Sequence, residues 1–421
     1  MSSQKDNQNS NLTDNQSERD KRYMASALAM ARRNLGQTSP NPSVGAVIVA
    51  PTPPRGPAAT KTGEQIIARA VTGHGGTPHA EPQAIETARA AIGVEALKDA
   101  TLYVTLEPCN HQGRTPPCTE AIIKAGIKRV VIAGDDHDER VKGGGIAKLK
   151  AAGIKVTVGI CKAAANRLSL GHTLLKTENR PAILIKSALS ADGLILPASD
   201  GSAATGNGTG PRWVTSPLAR RRGQLLRAEA DCILIGRGTA LADDPSLTCR
   251  LNGMAARSPQ PILLDSRLSL PKHLKLFQTS AISADMAAMQ PLVAYDQAIS
   301  SAEVKAYGTE RSATLIPIKR SSEGGVDLRA LATAIAARGF TRMMVEGGPT
   351  LSGRLIKAGL FDQLNIFIGA QNAGPEGIAP FDGESLEWAL EAWPLNLEYS
   401  QTLGDNLMHQ YIRSDREIAA V

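Results

Sequence analysis

The sequence predicts an α/β protein of two layered domains whose strands run mostly parallel. Three observations carry this. Short apolar strand-like runs alternate with amphipathic helix-like stretches along nearly the whole chain, as expected when helices connect the strands of a sheet across its faces. The alternation pauses at residues 162–180 and then restarts. With 421 residues, the chain is long for one core and suits two or three domains of about 150 residues each.

Residues 1–20, MSSQKDNQNSNLTDNQSERD, hold almost nothing apolar and are expected to form a disordered polar tail. The stretch RYMASALAMARRNLG then reads as a helix with Tyr23, Ala27, Met30 and Ala31 on one face and Gly36 beyond its end. Val44 to Val49 reads as a buried strand, residues 51–65 as a Pro/Gly/Thr-rich surface loop, and IIARAV as the next strand. The segment TPHAEPQAIETARAAIG runs from a loop into a helix. TLYVTLEPC is a strand, TEAIIKAGI a glycine-capped helix, RVVIAGDD a strand, GGGIAKLKAAGI a helix and VTVGI a last strand. A first domain over 21–162 follows, and residues 162–180 read as a connecting helix and linker, with the linker over 163–179.

The second domain, 180–421, opens with RPAILIKSALSADG, a buried strand with a polar break. SPLARRRGQLLRAEA is a helix and DCILIGRGTA a strand and turn. PILLDS, MQPLVAY, TLIPI, RMMVEGG and QLNIFIG are further strands, separated by helices such as LRALATAIAARG and PTLSGRLIKAGL. Residues 195–212 are rich in Gly, Ser and Thr and are expected to be a mobile loop.

A net charge of +7 favours anionic ligands. Aromatics make up only 3 %, too few for the stacking platforms of single-stranded nucleic-acid binders. No block of consecutive basic residues forms a nucleic-acid arm. No apolar run approaches the roughly 18 residues that span a bilayer, and the polar start has no secretory h-region. A cytoplasmic, reducing location is therefore expected, where closely spaced cysteines mean metal or catalysis before disulfides.

The segment EPCNHQGRTPPC places Cys109 and Cys118 nine positions apart, each after a proline. Alone it allows a redox pair, half of a structural zinc site or a catalytic metal site. His79 and Glu81 lie upstream at an expected helix start. One imidazole and two thiolates are three of a zinc ion's four ligands, leaving a position for water. Glu81, beside the ligands without being needed as one, can shuttle a proton from that water to a leaving amine. This is the His-x-Glu…Pro-Cys…Cys arrangement of zinc nucleobase deaminases, except that those commonly separate the cysteines by two residues and this chain by eight.

With that longer spacing, PNPSVGAVIV, PHAE, LEPCNHQGRTPPCTEAII and GIAKLKAAGI closely resemble the deaminase half of the bifunctional deaminase–reductases of riboflavin biosynthesis. The resemblance covers essentially the whole first domain and implies a cytidine-deaminase-like three-layer fold. It implies hydrolytic deamination of diaminohydroxyphosphoribosylaminopyrimidine, with His79, Cys109 and Cys118 on one Zn2+ and Glu81 as proton shuttle. It also implies substrate contacts from Asn41, His111 and Arg114. The chain departs from the family where DPNPxVxGxG is usual: it has DDHDERVKGGG, without either proline.

The second domain has no metal cluster and no GxGxxG after its first strand, so a Rossmann site is not expected. VEGGPTL is a strand, a double glycine and a helix with proline in its first turn, a turn that lets backbone amides approach a phosphate. KSALSADG, RWVTSPLARRRGQLLRAEADCILIGRGTALADDPSLTCR, PILLDSRLSLP and VEGGPTLSGRLIKAGLFDQL together resemble the reductase half of the same family. The resemblance implies a dihydrofolate-reductase-like fold and NADPH-dependent reduction of the ribosyl group to a ribityl chain. By position, it assigns Ala188, Trp213, Thr239, Asp243, Ser266, Gly348, Pro349, Thr350, Leu351, Ser352, Gly353 and Arg354 to NADPH. It assigns Arg227, Leu247, Arg250 and Glu346 to the substrate, the two arginines suiting a phosphate monoester. Pro211 occupies the place of a family serine, so Ser202, Thr209 or another loop residue replaces it or the contact is absent. Small phosphoribosyl-pyrimidines are the expected partners, with no nucleic acid and no membrane, and the family implies a homo-oligomer.

Overall fold

In a computed structural model, described over residues 2–52, 63–196, 214–278, 289–322 and 324–416 (backbone alone for 2–15, 52 and 416), the alternation becomes two units. These are Met1–Glu178 and Asn179–Val421. The first contains α1 (Ser2–Arg33), β1 (Gly45–Thr52), β2 (Gly63–Val71), α2 (Ala80–Leu97), β3 (Thr101–Leu106), α3 (Cys118–Ala125), β4 (Arg129–Gly134), α4 (Gly144–Ala151), β5 (Lys155–Val158) and α5 (Lys162–Thr177). Its sheet has the order β2-β1-β3-β4-β5.

Strand alternation explains the layers. Ala46, Ile48, Leu102, Val104, Val130 and Ile132 face one way, onto Ala84 of α2, Ile122 of α3 and Leu149 of α4. Val47, Val49, Tyr103, Val131 and Ala133 face the other, onto Met24 and Ala27 of α1 and Ala165 of α5. Successive side chains of a strand point to opposite faces, so each apolar strand serves two helical layers. The expected parallel order holds for β3-β4-β5. The pairs β2-β1 and β1-β3 are antiparallel, since β1 and β2 form a hairpin with no crossover helix between them. Pairing resumes at Thr52↔Gly63, so β2 takes in the last residues of the stretch read as the 51–65 loop; residues 53–62 lie outside the described residues.

Two boundary stretches are helical. Where a disordered tail is expected over 1–20, α1 begins at Ser2, and Asp20, itself on that helix, is buried. Arg129 holds the Asp20 carboxylate through two nitrogens at 3.0 and 2.6 Å, and the Tyr103 hydroxyl donates at 2.8 Å. The stretch read as a connecting helix and linker contains α5, which groups with the first unit, with Ala165, Ser169, His172 and Leu174 buried. On α1 the buried methionine is Met24, and Met30 is only partly covered.

The second unit contains β6 (Ala182–Leu189), α6 (Pro217–Ala228), β7 (Cys232–Gly236), α7 (Arg237–Asp243), β8 (Gln260–Leu264), β9 (Leu292–Asp296), α8 (Ser301–Arg311), β10 (Thr314–Ile318), α9 (Leu328–Ala336), β11 (Arg342–Val345), α10 (Pro349–Lys357), β12 (Gln363–Ile368), α11 (Leu386–Ala392), β13 (Leu395–Leu403) and β14 (Asn406–Arg413). The sheet order is β10-β9-β8-β7-β11-β6-β12-β14-β13. It is parallel from β10 to β12 and ends in an antiparallel hairpin, β13-β14, which the sequence reading did not identify. One face packs on Leu331 of α9, Leu355 of α10 and Ala389 of α11. The other packs on Leu226 of α6, Ala240 of α7 and Tyr307 of α8. The loop expected over 195–212 falls almost wholly outside the described residues, as do Ser202, Thr209, Pro211 and Trp213.

Candidate functional site

Three segments of the first unit converge beyond the end of β3. His79 is the N-cap of α2, Cys118 opens α3 after Pro117, and Cys109 follows β3. The ligand atoms of all three lie within 4.8 Å of one another. His79 Nδ1 is 3.2 Å from Cys118 Sγ and 3.6 Å from Cys109 Sγ. A tetrahedral zinc with bonds of about 2.0 Å to nitrogen and 2.3 Å to sulfur has N···S edges of roughly 3.5 Å. The spacing therefore fits one zinc ion.

The acid–base chemistry fits as well. The Cys118 thiol, with smaller contributions from His79 and the Cys118 backbone amide, holds the Cys109 thiol down to about 4 against the effect of burial. Cys118, facing that thiolate, is pushed up. Its bond to Cys109 raises His79. A dication stabilises both sulfurs as thiolates. Glu81, in the first turn of α2, is buried and pushed up to about 7, chiefly by desolvation and then by the Cys109 thiolate. It stands beside the donor set without belonging to it.

Around these residues, Asn41 donates from Nδ2 to the carbonyl of Gly76 at 2.9 Å, bracing the turn that leads into His79. Gly76 has φ +87°, and a Cβ there would lie 2.6 Å from Asn41 Cβ, so only glycine permits this approach. Arg114 is exposed and makes no side-chain hydrogen bond among the described residues. His111 Nδ1, Asn110 Oδ1 and Thr119 Oγ1 are buried without a partner among the described residues, the condition of polar atoms that await a ligand or water. The sequence reading named His111 and missed Asn110 and Thr119; the available signal was that each directly follows a ligand cysteine.

In the second unit, a cleft of about 810 Å³ opens at the C-terminal ends of the parallel strands, the usual ligand position in such sheets. Thr239, Asp243, Ser266, Gly348, Pro349, Thr350, Leu351 and Arg354 all line it. Gly348 caps α10 and its amide donates to Thr239 Oγ1 at 2.8 Å. Gly236, Gly238 and Gly325 also line the cleft and leave backbone open to a ligand, while Arg237, Arg267, Arg320 and Arg354 make it cationic. Size and charge both fit an anionic dinucleotide. Ser352 and Gly353 are buried instead. The Ser352 hydroxyl points to the Gly347 carbonyl at 3.4 Å, and a Cβ on Gly353 would lie 2.5 Å from the Phe381 backbone. Ala188 sits in β6 opposite Phe367 and does not line the cleft.

The residues expected to meet substrate are arranged around Glu346. Arg227 grips that carboxylate with Nε and Nη2, both at 2.7 Å, and donates Nη1 to the Thr248 carbonyl at 3.0 Å. Its fork is thus occupied by Glu346, which leaves Arg250 as the expected arginine still exposed. Leu247 is buried at φ +54° beside this network. Burial alone would raise Glu346; the Arg227 charge and hydrogen bonds, with Lys186 and Arg250, bring it to about 2. The surroundings strip water from Asp243 and raise it, with Lys186 offsetting part of the rise. Lys186 in β6, whose ammonium lies 5.7 Å from the Phe367 ring centre, was missed as a site residue. Its signal was the polar break in AILIKSAL.

With this geometry in view, comparison with known proteins is informative. The family profile for the cytidine and deoxycytidylate deaminase zinc-binding region matches residues 17–134. The profile for the RibD C-terminal domain matches residues 181–408. The riboflavin biosynthesis protein RibD of Aquifex aeolicus is 35 % identical over 391 residues, covering 92 % of this chain and 97 % of its own length. That of Escherichia coli is 35 % identical over 357 residues, covering 85 % and 89 %. The solved structure of Acinetobacter baumannii RibD superposes with a TM-score of 0.73 at 28 % identity, covering 94 % of this chain and 99 % of that one. A Thermotoga maritima structure, described as a diaminohydroxyphosphoribosylaminopyrimidine deaminase/5-amino-6-(5-phosphoribosylamino)uracil reductase, gives 0.73 at 27 % identity with the same coverages. Among the described residues, no helix is long and apolar enough to cross a membrane. The zinc-type donor set followed by a cationic strand-end cleft, and full-length similarity to RibD proteins, together mean that this chain belongs to the family of bifunctional deaminase–reductases of riboflavin biosynthesis, a zinc-dependent hydrolytic deaminase joined to an NADPH-dependent reductase.

Proposed function

We propose that the first unit deaminates diaminohydroxyphosphoribosylaminopyrimidine to 5-amino-6-(5-phosphoribosylamino)uracil, and that the second reduces the ribosyl group of this product to a ribityl chain. The observation that carries this reading is the buried Glu81 carboxyl beside the His79–Cys109–Cys118 donor set. Zinc held by those three residues supplies Lewis-acid activation of water at neutral pH. Glu81 takes a proton from the attacking water and returns it to the departing amine, so water enters and ammonia leaves. A carboxyl near 7 suits both directions of transfer. Asn41 supports the turn under the pyrimidine. The unpartnered buried atoms of Asn110 and His111 support hydrogen bonds to the bound substrate, and exposed Arg114 meets its phosphate.

In the second unit NADPH supplies the hydride. The N-terminus of α10 at Gly348, Pro349 and Thr350 would hold the NADPH phosphates, with Thr239, Asp243, Ser266, Leu351 and Arg354 lining the cleft. The family resemblance also implies a cofactor contact from Trp213, whereas Ala188 in β6 stays outside the cleft lining. Buried Ser352 and Gly353 support α10 from behind. Arg250 holds the substrate phosphate beside Leu247, with Lys186 adding charge, and Glu346, fixed by Arg227, accepts hydrogen bonds from sugar hydroxyls. A homo-oligomer in the cytoplasm completes the proposal; five unbridged cysteines agree with a reducing compartment. The test is a coupled assay of the purified chain on the diaminopyrimidine ribotide. Ammonia release without NADPH, followed by NADPH oxidation when it is added, is expected. Ammonia release from cytidine or from tRNA in its place would overturn the substrate assignment.

A further inference from the structure

The loop between β4 and α4, residues 135–143, reads DDHDERVKG. It has three aspartates and no proline to stiffen it, and one helix meets all three. Lys162 Nζ lies 2.7 Å from Asp135 Oδ2, His172 Nε2 lies 3.3 Å from Asp136 Oδ1, and Lys176 Nζ lies 3.0 Å from Asp138 Oδ2. The side chains of Asp136, Asp138 and His172 are 9, 8 and 8 % exposed. The Asp136 and Asp138 contacts are therefore largely shielded from solvent, unlike mobile surface pairs that contribute little, while the Lys162–Asp135 pair is partly exposed. Within the loop, Asp136 Oδ1 also accepts from the Asp138 amide at 2.9 Å, and Asp138 binds the Arg140 guanidinium at 2.9 and 2.6 Å.

The far end of the loop presses on the segment that carries Cys109. The Glu107 carboxylate accepts from the amides of Gly143 and Ile146, each at 3.0 Å. A Cβ on Gly145 would stand 2.1 Å from the Pro108 carbonyl oxygen, and one on Gly144 would stand 2.3 Å from Asn110 Nδ2. The loop thus lies between α5 and residues 107–110, next to the unpartnered atoms of Asn110 and His111.

We infer that Lys162, His172 and Lys176 of α5 form a clamp that positions residues 135–146 against Glu107–His111 and so sets substrate binding at the deaminase site. The inference rests on the deaminase reading of that site. None of the three belongs to the donor set, so they are positioning residues that act through the loop. Displacing the loop withdraws the amides that hold Glu107 and moves the wall formed by Asn110 and His111. His79 and Glu81 keep their places on α2 and Cys118 on α3. Cys109 stays tied to α3 by the Thr119 amide on its carbonyl at 3.1 Å and the Cys118 amide on its Sγ at 3.3 Å. Binding should therefore weaken while turnover continues.

The experiment uses the full chain with Lys162→Asp, Asp135→Lys, the Lys162→Asp/Asp135→Lys exchange, His172→Ala and His172→Gln. Five quantities are read: kcat and KM for deamination, bound zinc, reduction of supplied aminouracil ribotide, and hydrogen exchange of the 135–146 amides. Either single charge change should raise the deamination KM about fivefold with kcat, zinc and reduction within about twofold of the parent, and the exchange should restore KM. His172→Ala should speed exchange of the Gly143 and Ile146 amides about tenfold, and His172→Gln, which keeps a donor for Asp136, should recover most of it. The clamp is overturned by an unchanged KM in the single variants, by joint loss of kcat and zinc, or by failure of the exchange to restore binding. Should the parent not deaminate at all, the function assignment fails, and amide exchange alone still decides the clamp. Should His172→Ala not fold, the partly exposed Lys162–Asp135 pair, 27 and 38 % exposed, keeps the test available.

Discussion

Glu81 is a buried carboxyl and Glu346 a largely covered one, and their surroundings drive them in opposite directions. Glu81 faces a thiolate and low-dielectric packing, which push it up to about 7; Glu346 faces Arg227, Lys186 and Arg250, which outweigh burial and bring it to about 2. The first is suited to carry a proton and the second to remain an acceptor. Glu81→Gln keeps the shape and all three zinc ligands but cannot shuttle a proton. It should retain zinc and NADPH oxidation on supplied aminouracil ribotide while deamination falls roughly 10³-fold; normal ammonia release would remove Glu81 from the mechanism. For Glu346 the folded value lies below the unfolded value of about 4.3. Its contribution to stability is complete above about pH 4.3 and is lost as pH falls through about 2, roughly 3 kcal/mol in all. Glu346→Gln leaves Arg227 buried and uncompensated, a loss of about 3 kcal/mol near neutrality. Urea unfolding followed by circular dichroism at pH 6 and pH 3 should show the variant weaker at pH 6 and the gap narrowed at pH 3. Equal gaps at both pH values would mean that the ion pair is not what holds this carboxyl.

The elements show why some features were legible in the sequence and others were not. Apolar strands of period two, glycine-ended helices and the Pro-Cys turns are local, so β1, β3, β4, α3 and the metal ligands follow from short windows. Lys186 was visible as a break in an apolar strand, but its nearness to Glu346 depends on the neighbour relation of β6 and β11. The place of Asp20 was not legible because its partners, Tyr103 and Arg129, lie 83 and 109 residues away. The hairpin β13-β14 escaped because β13 is largely exposed, with only Leu403 buried, and the buried positions of β14, Asn406, Met408 and Arg413, are mostly polar. On α1, Met24 was overlooked because the helix face is set by close approach to β1, where a Cβ on Gly45 would lie 1.9 Å from the Ala27 carbonyl oxygen. That contact is itself testable. Gly45→Ala should drive α1 from the sheet and destabilise the first unit by about 3 kcal/mol, read as a lower urea midpoint. An unchanged midpoint would mean that the helix does not need this approach.

At the scale of the whole molecule, two different chemistries are each complete within one unit. His79, Glu81, Cys109 and Cys118 all lie before Glu178, and every residue lining the 810 Å³ cleft lies after Asn179. The restart of alternation, a feature of the whole sequence, was enough to show this division, although the exact break depended on recognising α5 as part of the first core. The chemistry of the two sites makes their metal dependence separable. Removing zinc leaves two mutually coupled sulfurs, one held down and the other pushed up, and a site without its Lewis acid. The cleft of the second unit has no His/Cys/carboxylate metal-ligand group among the described residues. Dialysis against a chelator should therefore abolish ammonia release while NADPH oxidation on supplied aminouracil ribotide stays within about twofold, and added zinc should restore ammonia release; the rate constants of zinc-dependent water activation make the first effect large. Parallel loss of both activities would show that the metal also supports the reductase fold, and survival of ammonia release after zinc is verified absent would refute the metal's role in deamination.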